Sequence, residues 1–208
     1  MRATRLLRAD DGDSIEVLID EPATNPGPAI VLLPSSQRDS RDFDKLASQL
    51  AAHGHRVLRP QPRGMGASSA PPPGMTLHTL AGDVATTIEA CAGGPAIVAG
   101  HAFGHFVARV TDLDHPRLVR GVVVMAGAAR VFPAGSSAAL DIASDPAQPR
   151  ADRLAALRHA FFAPGHDPTP WLDGLHPHLR DAYRAAARTP PKDQWWPVTN
   201  APILDLQA

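Results

Sequence analysis

Val98-Ala99-Gly100-His101-Ala102-Phe103-Gly104-His105 is the stretch whose reading decides the fold. It follows Pro95-Ala96-Ile97 and precedes Phe106-Val107-Ala108. The short apolar run predicts a buried strand, the glycines predict a sharp turn, and the residues from Phe103 onward have helical spacing. Strand, tight turn and helix make the setting of a nucleophile elbow, G-x-S-x-G, whose strained apex tolerates only small neighbours. Gly100 and Gly104 supply those neighbours. The apex is Ala102, which has neither hydroxyl nor thiol and therefore forms no covalent intermediate.

On the N-terminal side, Thr4 to Arg8 and Ser14 to Ile19 predict two strands joined by the turn Asp10-Asp11-Gly12-Asp13, a hairpin. Ala29-Ile30-Val31-Leu32-Leu33 is a continuous apolar run, as expected of a parallel strand covered on both faces. Phe43, Leu46, Ala47 and Leu50 have helical spacing, with Ser40 as the expected N-cap and Gly54 beyond the end. Arg56 to Arg59 predicts the next strand, and Leu77, Leu80, Ala81, Val84 and Ile88 predict a helix ending before Gly93-Gly94. On the C-terminal side, Gly121 to Met125 reads as a strand. Residues 131–197 contain no strand-like run, and helical stretches stand out around Leu154–Phe161 and Leu179–Tyr183. Pro202 to Leu206 predicts one more strand. Strands alternating with helices give an α/β class, a mostly parallel sheet with helices on both faces.

The chain has 208 residues, 20 basic and 21 acidic, for a net charge of -1. That balance argues against nucleic-acid and membrane-surface partners. The single cysteine, Cys91, excludes an internal disulfide and suits a reducing compartment. No run has the length of a membrane span and the start lacks a signal-peptide core, so a cytoplasmic location is expected. His176-Pro177-His178 lacks a third ligand and reads as surface, and neither metal nor cofactor is expected.

The order of these segments resembles the α/β-hydrolase family along nearly the whole chain. Gly100-His101-Ala102-Phe103-Gly104 is similar to that family's G-H-S-x-G elbow. Leu32-Leu33-Pro34-Ser35-Ser36 stands where the family has an oxyanion loop, and Arg63-Gly64-Met65-Gly66-Ala67-Ser68 matches its R-G-x-G-x-S segment. The resemblance implies a core over residues 1–130, a helical cap over 131–197 and a return strand over 198–208. It also implies oxyanion-hole N–H groups at Ser36 and Phe103. In this family the triad runs nucleophile, acid, histidine. Here the chain stops where the acid loop is due, so a truncated form of the fold is expected. Asp205 lies inside its strand pattern rather than after it.

Three functions follow. The first is a relative of ester- and lactone-type hydrolases without serine-hydrolase activity, binding a small apolar molecule under the cap. The second is an active family's altered and truncated form. The third is a lyase- or oxygenase-like enzyme that needs no serine, with His105 as the candidate base. Seven of the ten aromatics lie in the cap segment, and six of these join Ser35 as candidate pocket residues: Phe132, Phe161, Trp171, Tyr183, Trp195 and Trp196. Beyond a small molecule, the 202–206 edge is expected to support a homo-oligomer or to receive a separate C-terminal fragment.

Overall fold

A computed structural model describes residues 2–24, 27–127 and 134–207. The hairpin is β1 (Arg2–Arg8) and β2 (Ser14–Asp20), antiparallel with Arg8 opposite Ser14. Then come β3 (Ile30–Leu33), a 3-10 turn (Ser40–Phe43), α1 (Asp44–Ala52), β4 (Val57–Pro60) and α2 (Leu77–Cys91). The elbow contributes β5 (Ala96–His101) and α3 (Gly104–Asp114), followed by β6 (Val119–Met125). The seven strands of the described residues lie in the order β1-β2-β4-β3-β5-β6-β7, antiparallel at β1/β2 and β2/β4 and parallel elsewhere.

β3 and β5 occupy the middle of this sheet, and their apolar runs bury on both faces. Val31, Leu33 and Val98 join the core under α2 and α3, whereas Ile30, Leu32 and Ala99 pack with Ala47 of α1. This is why both strands read as unbroken apolar stretches. At the 3-10 turn the N-cap is Asp39, whose carboxylate accepts from the Arg41 amide, rather than Ser40. Ser40 is fully buried and its hydroxyl donates to the Pro60 carbonyl at 2.6 Å, a tertiary demand that removes it from capping.

Between β6 and β7 the described residues form five α-helices: α4 (Ser136–Ser144), α5 (Arg150–Phe161), α6 (Thr169–Asp173), α7 (Arg180–Ala186) and α8 (Lys192–Trp195). Only α5 and α7 correspond to stretches with a visible period. α6 and α8 span five and four residues, too few for a period to show. The return to the sheet is fixed by Asp112 of α3, which accepts from the Asn200 amide at 2.9 Å and the Ala201 amide at 3.1 Å. β7 (Ile203–Leu206) then lies parallel to β6, Val122 opposite Ile203. Among the described residues no strand pairs with its outer edge, and Leu204 and Leu206 are exposed.

Candidate functional site

The turn after β5 has the backbone of an elbow. Ala102 sits at φ 45°, in the left-handed region that side chains seldom enter, and its amide donates to the Met125 carbonyl at 3.1 Å. A Cβ on Gly100 would collide with the Gly104 backbone and the His105 nitrogen, and one on Gly104 with the carbonyl oxygens of Leu33 and Pro34. Both glycines are thus required by close backbone approach. The Gly104 contact also brings the end of β3, and the loop after it, against the turn. Neither the Ser36 nor the Phe103 amide donates a hydrogen bond among the described residues.

A cavity of about 40 Å³ lies beside the turn. Phe103 and Gly104 of the elbow, Leu33 of β3, Pro34 and Ser35 of the loop after it, Leu80, Asp83 and Val84 of α2, and Tyr183 of α7 line it. Tyr183 meets Phe103 edge to face at 5.6 Å, and its hydroxyl donates to the Arg63 carbonyl at 2.9 Å. Burial pushes that phenol well above its ordinary pKa, so it remains a neutral donor. Ser35 and Tyr183 are therefore at the cavity.

The other candidate aromatics are elsewhere. Trp195 is fully buried in the main core, 5.0 Å from Phe106, with its indole N–H on the Pro190 carbonyl. Trp196 lies beside it, under the Arg109 guanidinium. Trp171 packs with Phe162 and Leu172 in a separate cluster under α4 and α5. Phe161 stacks on Trp171 and is exposed. Phe132 lies outside the described residues. The aromatics thus split between two apolar cores and one cavity, a partition that depends on partners distant in sequence.

His105 is buried. It is 1% exposed, and its ring packs between Phe106 at 4.6 Å and Trp196 at 5.8 Å. Its Nδ1–H donates to the Ala102 carbonyl at 2.6 Å, which places the proton on Nδ1 because a carbonyl only accepts. Burial pushes its pKa down to about 4, against the opposing effects of that carbonyl and of Asp205. His101 is also pushed down by burial, with Asp42 opposing.

A buried neutral histidine has a stability signature. Between its unfolded pKa and the depressed folded value, the unfolded chain binds more protons, so stability falls as pH drops from about 6.5 to about 4. His105 contributes a loss of about 3 kcal/mol across that window. His105→Phe is expected to flatten the slope of unfolding free energy with pH, measured by urea titration at several pH values. Coincident slopes for the two proteins would show that His105 takes up its proton in the folded state.

Sequence reasoning did not single out Gln37 or Arg38, although Arg38 and Asp42 have helix-neighbour spacing. The Arg-Gly-x-Gly-x-Ser segment has a structural explanation. The Arg63 guanidinium is 1% exposed, forms two bonds to Asp83 at 2.8 and 2.7 Å, and reaches Asp13 at 2.6 Å and Asp11 at 2.7 Å. These carboxylates hold it protonated more firmly than in water. Gly64 at φ 86° passes against Leu179, and Gly66 at φ 55° passes against the Glu16 carboxylate.

Comparison with known proteins agrees with this architecture. The family model for the alpha/beta hydrolase fold matches residues 28–199. A hydrolase from Pseudomonas aeruginosa PA01 superposes with a TM-score of 0.73 at 21% identity, over 99% of this chain and 90% of that one. An esterase from Exiguobacterium antarcticum, EaEST, gives 0.77 at 22% identity, over 98% and 80%. The bottromycin epimerase BotH, solved with bottromycin A2, gives 0.64 at 20% identity, over 89% and 72%. No curated protein matches the sequence. Among the described residues no helix is long and apolar enough to cross a membrane. With an elbow of this backbone geometry at the centre of a sheet of this order, and a family match covering most of its length, the chain belongs to the alpha/beta hydrolase fold family.

Proposed function

We propose that this chain is a small-molecule-binding member of its family, related to ester- and lactone-type hydrolases and without serine-hydrolase activity. One observation carries the reading: the elbow is built in full, down to the left-handed apex, and that apex is Ala102. Serine hydrolysis needs a nucleophile and a base in hydrogen-bond reach of it. Ala102 supplies no nucleophile, and His105, turned into the core, supplies no base there. The fold does not require hydrolysis, since BotH is an epimerase of like architecture. The ligand class that suits the site is a small apolar ester, lactone or acid, held between the elbow and a cap over 131–197. Ser36 and Phe103 offer their amides to its carbonyl oxygen.

Purified protein is expected to hydrolyse 4-nitrophenyl acetate no faster than the residual catalysis left when triad members are removed. Ala102→Ser is expected to add little, because no base accompanies the hydroxyl. Steady-state absorbance assays at neutral pH read both. A gain of about a thousandfold on restoring serine would mean that a base is in place, and the reading would fail.

A further inference from the structure

The cavity beside the elbow does not include the apex. Ala102 is not among its lining residues, and of the described residues of 131–197 only Tyr183 reaches it. It lies where the ends of β3 and β4 meet α2 and α3, with Leu33, Leu80, Val84 and Val107 as its buried aliphatic lining. Pro34, Pro60 and Pro62 also line it, and proline backbone has no N–H to donate. The enclosure is preformed. Gly104 is pressed against the carbonyl oxygens of Leu33 and Pro34, and Arg63, in the loop after β4, is tied to α2 through Asp83 and to α7 through Tyr183. Ser35, Pro62 and Phe103 in the lining are partly exposed and give the cavity its opening to solvent.

The polar side chains of the lining are almost all engaged elsewhere. Both Asp83 oxygens accept from Arg63, and the Tyr183 hydroxyl donates to the Arg63 carbonyl. Gln61 accepts from the Ser40 amide at 3.0 Å and donates to the Asp39 carboxylate at 3.3 Å. Among these side chains only the Ser35 hydroxyl makes no hydrogen bond to another described residue. A well-held water needs about two to four polar partners. Water in this cavity is therefore poorly held, and an apolar group that displaces it gains affinity. The volume of about 40 Å³ has room for about three water-sized groups. That is far below the several hundred Å³ that enclose a drug-sized ligand, so the occupant is a very short chain.

We propose that this cavity is a binding site for an alkyl chain of about three carbons bearing one oxygen, the chain lying against Leu33, Leu80, Val84 and Val107 and the oxygen accepting from the Ser35 hydroxyl. The site is independent of the ligand reading over the apex, because it uses neither Ala102 nor the helices α4 to α6. Titration of n-propanol into methyl-labelled protein, followed by proton–carbon correlation spectra, reads it directly. The methyl groups of those four residues are expected to shift saturably, with a dissociation constant in the millimolar range set by so few ligand atoms. Cyclohexanol is too bulky and is expected to shift none of them saturably. Val84→Phe fills the space and is expected to abolish the propanol shifts at Leu33, Leu80 and Val107. Val84→Ile adds one methylene, is expected to weaken binding about tenfold, and carries the test should Val84→Phe not fold. Ser35→Ala is expected to weaken binding about threefold. Shifts that stay linear in propanol concentration, an unchanged affinity in the folded Val84 variants, or saturable shifts with cyclohexanol would overturn the site. Equal affinity in Ser35→Ala would overturn the assignment of the oxygen.

Discussion

Gly104→Ala is expected to destabilise the protein by about 3–5 kcal/mol, at the extreme end for a single methyl group. The new Cβ would overlap the carbonyl oxygens of Leu33 and Pro34, which are backbone atoms at the end of β3. A side chain could rotate aside, but a central strand moves only by breaking its ladder to β5, where Leu33 pairs with Gly100. The same substitution at Gly82, in α2, meets nothing within 4 Å. There alanine is expected to stabilise by about 0.5–1 kcal/mol through helix propensity. Urea unfolding of the two variants should therefore move in opposite directions. An unchanged midpoint for Gly104→Ala would mean that the elbow is not packed as described.

The second large effect is expected at Asp83. Asp83→Asn leaves the buried Arg63 guanidinium with only the partly exposed Asp11 and Asp13, and breaking such a pair costs about 3–5 kcal/mol. The loss should extend to the cavity, because Arg63 also accepts the Tyr183 hydroxyl through its carbonyl and Asp83 itself lines the cavity. The double variant Arg63→Leu with Asp83→Leu removes both charges and is expected to recover much of the loss, since a buried pair often replaces well by apolar side chains. Thermal unfolding of the single and double variants measures this. Additive losses would mean that the two charges do not act as a pair.

Much of the architecture was legible because its signals are local. Apolar runs at Ile30–Leu33 and Ala96–Ala99, the stripe Leu77–Ile88 and the turn at Asp10–Asp13 each report their own backbone. The elbow was legible for the same reason, since two glycines and an alanine in five residues leave few other structures. What the sequence hid depends on partners far along the chain. Gln37 meets Ser144, Arg38 meets Trp171 and Tyr183 meets Arg63 across separations of 107, 133 and 120 residues. The division of the aromatics follows the same rule. Phe162 and Trp171 belong to a small core of their own, and Trp195 to the main one, although all three lie in one helical segment. His105 has helical spacing on either reading of its role. Only the Ala102 carbonyl and the surrounding rings decide that it packs behind the turn.

The central claim is that an intact elbow here carries no nucleophile. Intact mass spectrometry after incubation with an alkyl fluorophosphonate tests it most directly, because that reagent phosphonylates a serine only when the hydroxyl is activated. The native protein is expected to keep its unmodified mass at concentrations and times that fully label an esterase run in parallel. A stoichiometric adduct, mapped by peptide digestion to Ser35, Ser36 or any other serine, would contradict the account and make this chain a serine hydrolase with a relocated nucleophile.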